Sequence, residues 1–324
     1  MRLAQAAAGL VLASALAPAS STAQYNTYGG LGIRPGELES VGVRDSYDEN
    51  VAFAMVAYAS AVTCPREQGL EDWTCKVCIQ GSDPVPAPPP LSEVSVFRSQ
   101  HGVNQGLVGV DSSNDSVIVA FRGSVDWRQW LFDMDIKLVK VYEKEGCRNC
   151  WAHQGFWEAF LSLKDEIVPY VRLLLSKHHY NKVRITGHSL GAALAVHCAL
   201  TLVNKDPSLL VLGYTFGQPR VGTPLFAQWA AAQLPSWFRV VNYLDPVPQC
   251  VKLLGYQHMP QEVWYFEKPC PGKPVGPYNV CSAKYGEDFS CQNSRCGGFK
   301  ICVDGSYHVT YMNIPDLTNV SAIC

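Results

Sequence analysis

The stretch that decides the fold is Lys182-Val-Arg-Ile-Thr-Gly-His-Ser-Leu-Gly-Ala-Ala-Leu-Ala-Val196. An apolar strand pattern runs into Gly187-His-Ser-Leu-Gly191, and an alanine-rich helix pattern follows at once. Glycines two residues before and two after a serine relieve crowding in the sharp turn that lifts the hydroxyl clear of a sheet. A glycine-rich turn with a bystander serine is the alternative, but the flanking strand and helix disfavour it. We therefore predict that Ser189 is a nucleophile at the start of a helix, where free N–H groups point at a developing oxyanion.

Outward from this turn, apolar strand patterns alternate with amphipathic helix patterns along the chain. The predicted strands are 94–98, 105–110, 116–121, 182–187, 210–216, 238–243 and 262–266, and the predicted helices are 46–62, 154–175, 190–203 and 225–234. Such alternation predicts an α/β fold with a mostly parallel central sheet and helices on both faces. We expect Pro169 to kink its helix. The proline-rich stretch 83–90 is interpreted as a surface loop rather than a domain linker.

Length and charge set bounds on the class of protein. The chain has 324 residues, 48% of them hydrophobic, which is enough for one large domain, although length alone would allow two. A formal net charge of -2 leaves no basic field for nucleic acid, so any lipid contact should be apolar. Residues 1–23 predict a signal peptide cleaved after Ala23, because their apolar run is too short for a membrane anchor. We therefore expect a secreted protein without a transmembrane segment, with a single domain over residues 24–324.

The 13 cysteines fit an oxidising compartment. Because their number is odd, at least one thiol is unpaired, and Cys198 in an apolar helix is the candidate; up to six disulfides remain. The C-x-x-C pairs at 75–78 and 147–150 could hold zinc, but no histidine pair accompanies them, so we predict disulfides and no metal. A Cys-rich segment at 270–302 is expected to be irregular and crosslinked. Asn114 and Asn319 begin possible glycosylation tripeptides.

A nucleophilic serine needs a base, and the base needs a carboxylate that orients it. In this kind of fold the order along the chain is Ser, then Asp or Glu, then His. Asp245 follows the strand 238–243 and is placed at the edge of the sheet where active-site residues gather. Two other carboxylates, Asp304 and Asp316, are the rivals of Asp245 as the acid. Two histidines follow Asp245 in the chain, His258 and His308, and either could be the base. We favour His308, because His258 precedes a strand and is expected to brace a loop.

The segment after the strand 116–121 predicts the rest of the site. Ser124 is expected to supply an oxyanion-hole donor together with the N–H of Leu190, whereas Arg122 is expected to be structural and paired with a carboxylate. Directly after Ser124, three apolar side chains fall on one face of a short helix: Trp127, Trp130 and Leu131. That face could pack on the core, but its position beside the oxyanion residue favours a substrate-binding lid that opens on lipid.

These motifs together resemble the class 3 lipases, the fungal-type triacylglycerol lipase family that also includes feruloyl esterases. The matching segments are Val119-Ala-Phe-Arg-Gly-Ser124, Ala152-His-Gln-Gly-Phe156, Ile185-Thr-Gly-His-Ser-Leu-Gly-Ala-Ala193, Thr215-Phe-Gly-Gln-Pro-Arg-Val-Gly222, Asn242-Tyr-Leu-Asp-Pro-Val-Pro248, Glu262-Val-Trp-Tyr265 and Tyr307-His308. The resemblance implies an α/β-hydrolase-type fold. It also implies a triad of Ser189, Asp245 and His308, an oxyanion hole at Ser124 and Leu190, and a lid after Ser124. The Cys-rich segment departs from the family, being longer and richer in cysteine.

The function expected on these grounds is hydrolysis of carboxylic esters through an acyl-serine intermediate, without a cofactor. Acylglycerols at an oil–water interface are the favoured substrates, because the expected lid is apolar. A feruloyl or other polysaccharide-ester esterase on the same scaffold is one alternative. A non-catalytic secreted binding protein is the other, although binding places no demand on a serine, an aspartate and a histidine together. No sequence feature indicates nucleic acid or an obligate protein partner.

Overall fold

The computed structural model describes residues 46–124, 136–250, 255–282, 284, 286–296 and 302–324. Its strands are β1 (Ser92–Arg98), β2 (Gln105–Asp111), β3 (Ser116–Phe121), β4 (Leu138–Lys140), β5 (Trp151–His153), β6 (Lys182–His188), β7 (Leu210–Phe216), β8 (Trp237–Asn242), β9 (Glu262–Tyr265) and β10 (Tyr278–Val280). Its α-helices are α1 (Glu49–Ala61), α2 (Lys76–Gln80), α3 (Gln154–His178), α4 (Leu190–Lys205), α5 (Pro224–Gln233), α6 (Asn293–Cys296), α7 (Ser306–Val309) and α8 (Val320–Ile323). Among the described residues, no helix combines the length and apolar character needed to cross a bilayer.

Eight strands form the main sheet in the order β1-β2-β3-β6-β7-β8-β9-β10. The run from β3 to β9 is parallel, and antiparallel strands flank it on both sides. Strands β4 and β5 form a separate antiparallel pair. The mostly parallel sheet is the arrangement expected from the alternating patterns, and the family resemblance implied its α/β-hydrolase type. The carboxyl ends of β6, β7 and β8 therefore lie side by side, and ligands of open parallel sheets bind at that edge.

Both faces of the sheet are covered, as the near-continuous apolar runs predicted. Strand β3 illustrates the division, because successive side chains point to opposite faces. Val117, Val119 and Phe121 pack in the cluster that includes α3, α4 and α5. Ile118 and Ala120 pack in the second cluster, which includes α1 and the C-terminal residues from 311 onward. The central strands thus form a rigid, dry platform for the turns at their carboxyl ends.

The Cys-rich segment is more ordered than the expected irregular crosslinked loop. Strand β10 lies within it and extends the main sheet by pairing with β9, and α6 follows between two disulfides. Five disulfides form among the described residues: Cys64–Cys324, Cys75–Cys78, Cys147–Cys150, Cys281–Cys291 and Cys296–Cys302. Both C-x-x-C pairs are therefore disulfides. Cys198 is buried and unpaired as predicted, and Cys250 and Cys270 are also free, so the five bridges lie within the upper limit of six set by the sequence.

Candidate active site

Ser189 lies in the turn between β6 and α4, with φ 56° and ψ -123°. A non-glycine residue at positive φ is strained and persists only where its surroundings fix it. Here the N–H of Ser189 donates to the carbonyl of Phe216 on the neighbouring strand at 2.9 Å. The side chain is buried and stands at the first turn of α4. The predicted strand–turn–helix with Ser189 in the sharp turn is thus confirmed.

The two flanking glycines are required by close backbone approaches. A Cβ on Gly187 would collide with the carbonyl group of Gly191 and would lie 2.8 Å from the nitrogen of Ala192. A Cβ on Gly191 would collide with the carbonyl of Phe121 at the end of β3. The turn therefore packs directly against the end of the neighbouring strand, and only glycine fits at either position.

Asp245 lies three residues beyond β8 and is fully buried. Its Oδ1 accepts the N–H of Val247 at 2.9 Å, so the short turn that follows holds the carboxylate. The carboxylate also accepts two side-chain donors: His308 Nδ1, at 3.0 Å from Oδ1 and 2.9 Å from Oδ2, and the Tyr311 hydroxyl, at 2.5 Å from Oδ2. Burying a charge is costly unless it is paired and hydrogen-bonded, and these donors meet that requirement.

His308 lies in α7 and connects Asp245 to Ser189. Its Nε2 lies 2.8 Å from Ser189 Oγ, and all three side chains are buried. With the Nδ1 proton donated to Asp245, Nε2 is the lone-pair nitrogen that accepts from the serine hydroxyl. The three residues singled out from the sequence are thus brought together, although 119 residues separate Ser189 from His308. Gly217 makes room for them, because a Cβ there would lie 2.9 Å from the His308 ring and 3.0 Å from Asp245.

Two residues of this site were not predicted from the sequence as parts of it. Tyr311 donates to Asp245, and its pKa is raised well above the usual value by burial and by the adjacent carboxylate, so it remains a donor. His188 Nε2 lies 2.7 Å from the carbonyl of His308, and the two rings are 4.5 Å apart. Burial lowers the pKa of His188 to about 3, with a smaller contribution from His308. His188 is therefore neutral, donates its N–H, and adds no positive charge beside His308.

The rival residues have other partners. Asp304 accepts the N–H and hydroxyl of Ser306, and Asp316 accepts those of Thr318, so both close local turns. His258 is buried, and its Nε2 lies 2.8 Å from the carbonyl of Pro248. It braces the loop after Asp245, as expected.

The chain segment expected to carry the oxyanion donor lies beside Ser189. A Cβ on Gly123 would lie 2.9 Å from the carbonyl of His188 and 3.4 Å from Ser189 Cβ, which places Gly123, the residue before Ser124, next to Ser189. Leu190 begins α4 and is buried. Arg122 donates to the carbonyls of Gly102 and Val103, which is a structural role, and among the described residues no carboxylate pairs with it. The lid residues predicted from the sequence, Trp127, Trp130 and Leu131, lie outside the described residues.

One group of the described residues has the composition of a metal site: Glu262, Cys281 and Cys291. The two cysteines are joined to each other in a disulfide, so they offer no thiolate to an ion.

Comparisons with known proteins place this chain among fungal lipases. The family model described as Lipase (class 3) matches residues 118–254. A secreted mono- and diacylglycerol lipase A from Penicillium cyclopium is 31% identical over 243 residues, covering 71% of this chain and 74% of that protein. A solved structure of a Rhizomucor miehei triacylglyceride lipase is 25% identical at a TM-score of 0.71, covering 86% of this chain and 99% of its own. Another, of a triacylglycerol lipase whose catalytic centre is a serine protease triad, is 25% identical at a TM-score of 0.72, with the same coverage.

Proposed function

Because this chain belongs to the class 3 lipase family, we propose that it hydrolyses acylglycerols, with Ser189 as nucleophile, His308 as base and Asp245 as orienting carboxylate. The observation that carries the proposal is the continuous hydrogen-bonded chain from Ser189 Oγ through His308 to Asp245. A nucleophile within hydrogen-bond reach of a base that a third group orients is the signature of covalent catalysis.

In the proposed reaction, His308 transfers protons between Ser189, the leaving alcohol and water. His308 Nε2 takes the hydroxyl proton while Ser189 Oγ attacks the ester carbonyl carbon. Collapse of the tetrahedral intermediate breaks the bond to the alkoxy oxygen, which receives that proton and leaves as an alcohol. A water molecule then gives a proton to His308 and attacks the acyl carbon. The carboxylic acid leaves, and the proton returns to Ser189 Oγ.

Charge that develops on the carbonyl oxygen needs donors near Ser189. We assign that role to the N–H of Leu190 and to Ser124, which follows Gly123 beside the nucleophile. Losing one such donor typically costs about 2.7–4 kcal/mol of transition-state stabilisation. We further propose that Trp127, Trp130 and Leu131 form the lid, since an apolar face beside the site is stabilised by lipid and not by water.

The relatives support acylglycerols as the substrate class. One is named for mono- and diacylglycerols and the structural neighbours for triacylglycerols. The experiment is therefore fatty-acid release from long-chain tri-, di- and monoacylglycerols, measured across the solubility limit of each, with Ser189→Ala as the blank. We expect Ser189→Ala to lower turnover by about 10⁶, as in other serine hydrolases.

The outcomes separate the alternatives. A rate that rises steeply once droplets form supports a lipase with an apolar lid. Hydrolysis of soluble aromatic esters with no release from any acylglycerol would move the assignment to the feruloyl-type esterase. If no ester is hydrolysed and an active-site phosphonate does not label Ser189, the remaining assignment is the non-catalytic secreted binding protein.

The names of the relatives and the N-terminal sequence support an extracellular location. Relatives in this family are named secreted lipases, and we propose that residues 1–23 are a signal peptide and that residues 24–324 form a single extracellular domain. N-terminal sequencing of protein from the culture medium tests this, with Gln24 expected as the first residue.

A further inference from the structure

The Cys-rich segment contacts the loop that carries Asp245, defined here as the acid loop, residues 245–250. Gln292, fully buried beside Cys291, makes two hydrogen bonds to this loop. Its Nε2 donates to the carbonyl of Asp245 at 2.7 Å, and its Oε1 accepts from Gln249 Nε2 at 2.8 Å. One amide side chain thus holds both ends of the turn that follows the acid.

A second contact holds the far end of the acid loop. Arg220, fully buried, donates through Nη1 to the carbonyls of Pro248 at 2.6 Å and Cys250 at 3.1 Å. Its remaining donors form a two-fold ion pair with Glu287 of the Cys-rich segment, at 2.7 and 2.8 Å. Burial opposes ionisation of Glu287, but Arg220 outweighs it and holds the pKa well below its usual range. The pair is therefore charged at neutral pH, and its bidentate form fixes the orientation of Arg220.

The Cys281–Cys291 disulfide fixes the position of the segment that supplies both contacts. It closes a loop that contains Glu287 and ends one residue before Gln292. The main chain on both sides is anchored to β9, because Cys281 N donates to the carbonyl of Glu262 at 2.9 Å and Gln292 N donates to Glu262 Oε1 at 3.0 Å. The segment therefore reaches the acid loop from a fixed base on the sheet.

We propose that Gln292 is a positioning residue for Asp245 and that the Cys281–Cys291 loop exists to hold it there. The inference rests on the proposed triad and adds to it a residue from the segment in which this chain departs from its family. The Asp245 carbonyl is buried, so without Gln292 it would lose its donor and the turn would reorient to find another. A catalytic group displaced by about 1 Å can cost about 10²-fold in rate.

The test is a comparison of two glutamines. Gln292→Ala, and Gln292→Met in case the cavity destabilises the fold, should lower kcat on a soluble short-chain ester by about ten- to a hundredfold, with KM changed less than about twofold. Gln261→Ala is the matched control, because Gln261 Nε2 also donates to a carbonyl of the segment, that of Cys281 at 2.9 Å, but Gln261 makes no side-chain bond to the acid loop. Equal kcat values for Gln292→Met and Gln261→Ala would overturn the proposal.

A double-mutant cycle shows whether the effect passes through Asp245. In an Asp245→Ala background, Gln292→Met should lower kcat by less than about twofold, because the group it positions is gone. A loss as large as in the wild-type background overturns the proposal and makes Gln292 a general structural residue. The cycle separates this result from failure of the triad itself, because in that case Asp245→Ala alone would retain the wild-type kcat.

Discussion

At the scale of single residues, the three members of the proposed triad could be selected from the sequence because each has a sequence signature, and the structure brings them into hydrogen-bond contact. Ser189 has flanking glycines, Asp245 follows an apolar strand, and the order of the three residues leaves His308 or His258 as the base. The donors that hold Asp245 have no such signature. Tyr311 and Gln292 are common residue types, and their contacts depend on chain segments 66 and 47 residues away from the acid. Sequence signatures therefore identify the three residues of the proposed triad, but not the side chains that hold the carboxylate of Asp245 in place.

Tyr311→Phe tests one of these buried orienting groups. The ring should stay in place against Phe216 and His188, while the carboxylate of Asp245 loses one donor. A hydrogen bond to a charged group contributes about 1.5–3 kcal/mol. We expect the free energy of unfolding, measured in urea at neutral pH, to fall by about that amount, and kcat to fall by roughly tenfold.

Tyr307→Phe is the control for this change. Tyr307 lies four residues earlier, in α7, and is half-buried with its hydroxyl near Asp304, away from the catalytic carboxylate. It should retain nearly wild-type stability and kcat. If the two variants behave alike, the Tyr311 hydroxyl has no role in holding Asp245.

At the scale of secondary structure, long elements with clear periodicity were predicted to within a few residues. Strand β3 spans 116–121 and β7 spans 210–216, as expected, and α4 begins at Leu190. Strands β4, β5 and β10 were missed, and each has three residues. Three residues are too few to show an alternation of period two, and their pairing comes from tertiary contacts that local sequence does not encode.

Helix α3 contains a proline whose effect on the free energy of unfolding can be measured. Pro169 is exposed and lies in the helix interior, which continues through it to His178. Proline lacks the N–H that would bond four residues back, and it is about 3 kcal/mol less favourable than alanine inside a helix. Its restriction of the unfolded chain offsets about 0.4–1 kcal/mol of that. Pro169→Ala should therefore stabilise the fold by up to about 2 kcal/mol in urea unfolding.

Glu166→Ala provides the reference for that measurement. Glu166 is exposed on the same helix, and surface changes of this kind usually stay within about 0.5 kcal/mol. If Pro169→Ala has a lower free energy of unfolding than Glu166→Ala, the proline fits a bend on which the core packing depends.

At the scale of the whole molecule, the sequence indicated that disulfides exist but not which cysteines pair. The Cys64–Cys324 bridge joins residues 260 positions apart, from the end of α1 to the last residue. No spacing rule predicts such a pair, because it depends on the C-terminal segment packing beside α1 in the second core cluster. The interior also buries histidines and carboxylates, and this gives the molecule a pH dependence that can be predicted.

Three buried histidines determine how stability should change with pH. Burial lowers the pKa of His188 and of His197 to about 3, and lowers that of His258 well below its usual value. In the unfolded chain a histidine titrates near pH 6.5. Between these values the unfolded state binds more protons, so stability is lost as the pH falls from about 6.5, by up to about 1.4 kcal/mol per pH unit for each proton. Burial raises the pKa of Glu262. This opposes the loss of stability at low pH, but by no more than the binding of one proton to the folded state.

Substitution of one of these histidines isolates its contribution to the pH dependence of stability. His197 lies among aromatic rings, and its Nδ1 is 3.2 Å from the Tyr142 hydroxyl. Both His197→Phe and His197→Gln remove the titrating ring, but one leaves an apolar side chain and the other a polar one. Their absolute stabilities should therefore differ. Urea unfolding at several pH values gives the slope of the unfolding free energy against pH. Between about pH 4.5 and 6.5 this slope should nevertheless decrease in both variants by the amount that corresponds to about one proton. Slopes equal to that of the unsubstituted protein would mean that His197 is already protonated in the folded state across this range, and that its burial does not control the acid sensitivity of the fold.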